Sequence, residues 1–265
     1  MGRSLPGPFE AVAVGSVRRR LKARVQYDGT CFAGFQRQKT DRTVQGVLED
    51  CLGSLVGHRV VVRASGRTDS GVHARGQVIS FVTDNPIPAE RLPVALGPML
   101  PRDVLVDRCE EVPASFDPLR DAVSKTYCYR VWRGPYEDLF WSRYTYPYRD
   151  FLEWDLMVSE ASALVGKHDF RGLRAEGSSA LTTAREVFQA RWVRNRTPRG
   201  ELWEFFITSD GFLYKMVRLT VGTILDVGRG HFPPGRIEEL LLGKSEERGP
   251  CLPGTGLCLE EVAFS

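Results

Sequence analysis

Residues 21–27 alternate apolar and polar side chains, the two-residue period of a strand with one buried face. Thr43 then precedes Val44, Val47, Leu48, Cys51, Leu52 and Leu55, an apolar stripe at helical spacing that Gly57 ends. Residues 60–64 and 78–82 predict a second and a third strand, separated by a polar loop from Gly66 to Gly76. A short, proline-interrupted helix is expected over 88–100 and a fourth strand over 104–112.

The second half repeats this rhythm. A strand is predicted over 126–132 and a helix over 156–165. Residues 186–193 and 202–208 read as a strand pair joined by a turn at Pro198, Arg199 and Gly200. Leu213, Met216, Val217, Thr220, Val221, Ile224 and Leu225 form a second helical stripe, stopped by Gly228 and Gly230. A short helix over 237–242 and a closing strand over 257–264 complete the chain. Each half thus follows the order β-α-β-β-α-β, the ferredoxin-like (RRM-like) split βαβ pattern. The expected fold class is α+β, with two such halves, mainly antiparallel sheets side by side and a catalytic cleft between them. The expected boundaries are a loose tail at 1–16, an N-terminal half at 17–112 and a C-terminal half at 113–265.

Composition narrows the classes. The chain has 265 residues, 42% hydrophobic and 26% charged, the balance of a soluble globular protein. Its net charge is only +3, but Arg18, Arg19 and Arg20 cluster, followed by Arg37, Lys39 and Arg42. Clustered base suits an acidic partner such as nucleic acid, although charge alone does not separate that from a solvated basic face. None of the six cysteines forms a C-x-x-C pair, so neither a zinc ribbon nor a thioredoxin-type motif is expected. No apolar run is long enough to span a membrane. The first 16 residues lack the cationic start and apolar core of a secretory signal, and Pro6 breaks the myristoylation pattern at Gly2. A cytoplasmic protein is expected, with organelle targeting left open.

Four groups of residues could carry chemistry. Asp69 lies in a glycine-bounded loop beside Arg67, a charge that favours its ionised form. An accessible carboxylate held on such a loop suits nucleophilic or general-base work, although most aspartates in this setting cap turns. In Lys125-Thr126-Tyr127-Cys128-Tyr129, strand alternation puts both tyrosines on one face, where a ring can stack on a base or pack in a core. Arg218 sits beside the second helical stripe, four residues after Tyr214, able to reach a buried acid. Gly34-Phe35-Gln36-Arg37-Gln38 is a polar, basic loop able to grip phosphates.

Together these pieces resemble the TruA family of tRNA pseudouridine synthases over nearly the whole chain. The most specific match is Gly66-Arg67-Thr68-Asp69-Ser70-Gly71-Val72-His73-Ala74. Tyr27-Asp28-Gly29, His168-Asp169-Phe170, Thr183-Ala184-Arg185 and Met216-Val217-Arg218 follow the family order. The resemblance implies that Asp69 is the catalytic nucleophile, that Tyr127 lies against the target base and that Arg218 pairs with the acid. Arg67, Thr68, Gln36 and Arg37 are the further substrate-binding candidates. It also implies a homodimer that modifies uridines 38 to 40 of the tRNA anticodon arm, without metal or cofactor. Three departures stand out. Ser70 replaces the usual alanine and Phe35 a frequent tryptophan. The usual F-H-A-R segment reads Phe116-Asp117-Pro118-Leu119, with its arginine displaced to Arg120.

Three other readings compete. A non-catalytic RNA-binding module predicts tRNA binding without turnover, but RRM-type aromatic signatures are absent. Leu242-Gly243-Lys244-Ser245 looks like the end of a P-loop, yet Glu238 occupies the position of the required upstream glycine. A carboxylate-pair glycosidase needs a second acid facing Asp69, and Asp169 is its candidate.

Overall fold

The alternation near the start produces strand β1, Arg19–Tyr27, with Leu21, Ala23, Val25 and Tyr27 buried. The computed structural model describes residues 18–177 and 181–265, so the tail expected at 1–16 lies outside the described residues. Helix α1 spans Val44–Val56 and buries Val44, Leu48, Leu52 and Val56. The Thr43 side chain caps it by accepting a hydrogen bond from the Gly46 N–H, and Gly57 closes it.

Strand β2 is confined to Arg63–Ala64, because only these two residues of the expected 60–64 pair with the next strand. Strand β3, His73–Thr83, is longer than the expected 78–82. The reason lies at Gly76, which reads as a loop glycine but stands within the strand. A Cβ there would meet the Glu260 carbonyl oxygen at 2.2 Å, so glycine admits a close backbone approach. Helix α2 is only Leu92–Leu96, preceded by a 3-10 turn at Ala89–Arg91, and β4 is Val104–Val112 as expected.

The remaining strands are β5 Ala122–Arg133, β6 Tyr146–Pro147, β7 Gly166–Asp169, β8 Ala184–Thr197, β9 Gly200–Ser209 and β10 Leu257–Phe264. The remaining helices are α3 Trp154–Ser162, α4 Met216–Gly228 and α5 Arg236–Leu241. β6 and β7 are too short to leave a periodic signal.

The fold is α+β, built on one mixed sheet in the order β4-β1-β3-β10-β5-β9-β8-β7, with β2 on β3 and β6 on β5. The pairs β10–β3 and β5–β6 are parallel and the other described pairs antiparallel. The last strand therefore returns to the middle of the sheet. Leu259 pairs with Ala74 of β3 on one side and Tyr127 of β5 on the other. This register brings the end of the Asp69 loop and the tyrosine strand to the two sides of β10. Helix α4 is buried along most of its length and packs against α3, α5 and β5, which fixes where its first turn points.

Candidate active site

The loop that joins β2 to β3 is held by side-chain and backbone hydrogen bonds. Ser65 Oγ donates to the Val78 carbonyl at 2.8 Å, and Gln77 Nε2 donates to the Gly66 carbonyl at 2.9 Å. From the segment before α1, the Phe35 N–H donates to the Thr68 carbonyl at 3.0 Å. Gly34 makes this approach possible: its φ is 99°, and a Cβ would lie 2.9 Å from the Thr68 oxygen. Ser70 Oγ donates to the Phe32 carbonyl at 3.2 Å, so the serine at this position adds a bond an alanine lacks.

This frame aims Asp69 at the first turn of α4. Arg218 Nη1 donates to Asp69 Oδ2 at 3.1 Å, and Arg218 Nε donates to the Leu252 carbonyl at 2.6 Å. The arginine side chain is 13% exposed and the carboxylate 26%, so the pair is shielded but open on one side. Among the described residues, the other oxygen of Asp69 accepts no hydrogen bond. Arg67 is exposed and forms no ion pair with Asp69 among the described residues; the charge that meets the acid comes from Arg218. Helix α4 starts abruptly after Lys215, whose φ of 58° is the positive value of a non-glycine residue among those described. Such left-handed residues cost energy and gather at functional sites.

Tyr127 lines the same cleft, of about 840 Å³, as Asp69. Its ring meets Phe212 edge-on at 5.0 Å, and its hydroxyl has no hydrogen-bond partner among the described residues. Burial, with the nearby Tyr27 and the negative charge of Asp69, pushes the Tyr127 phenol well above its usual value of 10. The phenol therefore keeps its proton at neutral pH. Tyr129, on the same face, is a core residue whose hydroxyl donates to the Pro253 carbonyl at 3.0 Å.

The other sequence candidates divide. Gln36, Arg67 and Thr68 line the cleft. The Thr68 hydroxyl is already shared with the Tyr27 hydroxyl at 2.8 Å. Phe35 also borders the cleft, but it is 3% exposed and packs near Tyr27. Arg37 turns away to α1, where its Nε donates to Glu49 at 2.7 Å and its Nη2 to Asp50 at 2.6 Å. Asp169 caps a 3-10 turn outside this cleft and binds Arg171 at 2.7 Å, which holds its carboxyl down at about 2. Residues 242–245 follow α5 rather than opening a helix.

Lys125, Arg63, Asp117 and Lys215 line the cleft without having been singled out in the sequence. Strand alternation would have found Lys125, two residues before Tyr127. Burial and the neighbouring Arg185 pull its ammonium below the usual lysine value. Arg63 Nη1 donates to Asp117 Oδ2 at 3.0 Å, so the second acid of the cleft is neutralised. Asp117 belongs to the divergent Phe116–Leu119 segment, whose displaced Arg120 instead binds Asp121 at 3.2 Å.

A sequence model of tRNA pseudouridine synthases matches residues 23–118 and 161–265. A tRNA pseudouridine synthase A of Moorella thermoacetica is 41% identical over 247 residues, 92% of this chain and 99% of the relative. One from Bacillus pumilus is 40% identical over 252 residues, covering 92% and 99%. One from Syntrophomonas wolfei is 39% identical over 246 residues, covering 92% and 97%.

Proposed function

The chain belongs to the TruA family of tRNA pseudouridine synthases, and from that premise we propose that Asp69 isomerises uridines 38, 39 and 40 of the tRNA anticodon arm. The chain is a tRNA pseudouridine synthase, an isomerase, with tRNA as its partner. The finer assignment rests on one observation: Asp69 gives one carboxylate oxygen to Arg218 and keeps the other free, in a cleft it shares with the unpartnered hydroxyl of Tyr127.

The target nucleotide leaves its stack at a cost of roughly a few kcal/mol and enters the cleft. Arg67, Gln36 and the backbone at Thr68 border it, while Arg37 remains tied to α1. The free oxygen of Asp69 promotes cleavage of the C1′–N1 bond, by attack on the sugar or by taking a proton from it. Arg218 holds the acid in place through one hydrogen bond and leaves its other oxygen aimed into the cleft. Tyr127 supports the freed uracil and donates from its hydroxyl while the base turns. C5 then joins C1′ as the Asp69–sugar bond breaks, or as the proton that Asp69 removed returns to the sugar; the C5 proton passes to water, and N1 regains a proton. In this reading no metal or cofactor takes part. Two ferredoxin-like halves, 17–112 and 113–265, meeting at β10 would account for a cleft at the joint, and the strand orders β4-β1-β3-β2 and β10-β5-β9-β8 fit such halves. A cytoplasmic homodimer is the expected state.

The test is to treat an unmodified tRNA transcript carrying uridines at 38 to 40 with the protein and map its pseudouridines. Modification confined to those positions is expected. Modification elsewhere would overturn the specificity, and none anywhere would overturn the activity.

A further inference from the structure

A second pocket, of about 1040 Å³, opens beside the C-terminal half and is lined by Arg171, Arg174, Arg236 and Arg248. Its arginines are not equally occupied. Arg171 binds Asp169 at 2.7 Å, and Arg236 lies 3.3 Å from Glu239 and donates to Ser245 Oγ at 2.5 Å. Among the described residues, the Arg248 side chain donates only to the Gly172 carbonyl, at 3.0 Å. Neither Arg174 nor Arg248 has a carboxylate partner among the described residues, and Arg174 makes no side-chain hydrogen bond there. Arg236 is only 9% exposed, yet its Nε is buried with no acceptor. A buried guanidinium donor without a partner is costly unless an acceptor arrives. Glu246 and Glu247 border the pocket too, exposed and without an ion pair to these arginines.

The chemistry selects phosphate. Guanidinium forks match phosphate oxygens two at a time. A stacked base finds less to use, because the Phe232 ring is already covered by the Arg236 guanidinium at 4.7 Å. The position selects the phosphates of an RNA lying in the cleft. The Ala175 N–H donates to the Tyr214 carbonyl at 3.0 Å, and Tyr214 and Gly177 line the catalytic cleft. Arg174 precedes Ala175, and the three residue steps from Arg174 to Gly177 span at most about 10 Å.

We propose that this pocket, through Arg174 and Arg248, binds a backbone phosphate of the RNA substrate away from the target nucleotide. The proposal rests on the tRNA-modifying activity above and adds a site outside the catalytic cleft.

The test titrates fluorescein-labelled tRNA transcript against full-length wild type, Arg174→Ala, Arg248→Ala and Arg174→Lys over a KCl series. Single-turnover tritium release is measured alongside. Each alanine variant is expected to weaken binding roughly three- to tenfold at low salt, and to reduce the log–log salt slope by about 0.7 to 0.9. The rate at saturating tRNA stays within about twofold of wild type, and Arg174→Lys restores the slope because a point charge suffices for counterion release. Unchanged affinity and slope in both folded alanine variants would overturn the proposal. Arg174→Ala is decisive if Arg248→Ala loosens the loop at Gly172, since Arg174 makes no side-chain hydrogen bond or ion pair among the described residues. Inorganic phosphate that binds wild type and not Arg174→Ala, with tRNA affinity unchanged, assigns the pocket to a free anion and also overturns it. Wild type that neither binds nor modifies tRNA sinks the function and this site together; wild type that does both beside unaffected variants sinks this site alone.

Discussion

Arg218 and Arg130 both hold carboxylates near strand β5, on opposite sides of it. Arg130 projects from the face opposite Tyr127 and Tyr129 and is 5% exposed. Its Nε donates to Glu204 at 2.9 Å and its Nη2 to Glu260 at 2.7 Å. Asn195 donates to the second oxygen of Glu204 at 2.9 Å, and Arg75 lies 3.8 Å from the second oxygen of Glu260. Every oxygen of that cluster has a partner, so it has nothing left to offer a substrate. In the cleft, one arginine meets one acid through a single bond, and the acid keeps an oxygen free. The same pair of residue types is a closed structural network in one place and an open reactive group in the other. The difference lies in how many donors surround the carboxylate, not in the charge itself.

Removing each arginine should break the two regions in different currencies. Arg218→Ala is expected to lower tritium release on the order of 100- to 1000-fold, with tRNA affinity largely retained, because it removes a group that aims the reacting charge. Affinity lost in proportion to rate would make Arg218 a phosphate contact instead. Arg130→Ala strands two half-buried glutamates and should cost about 3–5 kcal/mol in urea unfolding. Variant protein that remains folded should keep its rate per folded molecule.

The frame of the open site is the next target. Gly34→Ala forces a side chain into a left-handed backbone 2.9 Å from the Thr68 oxygen. A destabilisation of about 1–3 kcal/mol is expected, with activity falling alongside as the Asp69 loop shifts. Unchanged unfolding and rate would show that the strap does not hold the loop.

The smallest effect concerns pH. The Gly29 N–H donates to His73 Nδ1 at 3.0 Å, leaving Nε2 to donate to the Thr255 carbonyl at 3.1 Å, the neutral tautomer. Burial lowers the His73 pKa below 6.5, outweighing the attraction of Asp28. The unfolded chain therefore binds a proton first as pH falls. This stabilisation is full above about 6.5 and is lost as pH falls through the folded value. A stability curve that loses part of its decline below pH 6.5 in His73→Gln would agree. An unchanged decline would remove His73 from it.

Much of this arrangement is legible in the sequence, because long periodic elements announce themselves. Helix α1, with its Thr43 cap and Gly57 stop, and strands β4 and β10 lie where the pattern puts them. The start of β3 is hidden because Gly76 looks like a turn and serves a close strand contact. Asp69 and Arg218 lie 149 residues apart, so only the resemblance suggested their pairing and only the fold brings them together. Arg37 looked like a phosphate grip because its carboxylate partners, Glu49 and Asp50, lie a helix away in sequence. Lys125 lies two residues before Tyr127 on β5, so alternation sets it on the tyrosine face, but only the fold shows that this face lines the cleft.

The most direct measurement compares two isosteric changes, Asp69→Asn and Glu204→Gln, by tritium release from C5-labelled tRNA and by urea unfolding. Asp69→Asn is expected to abolish release while its unfolding midpoint stays near wild type. Glu204→Gln is expected to keep the rate and lose about 1–3 kcal/mol, because it removes a negative charge that pairs with the buried Arg130 guanidinium. Release by the Asp69→Asn protein at the wild-type rate would contradict the assignment of the reacting carboxylate.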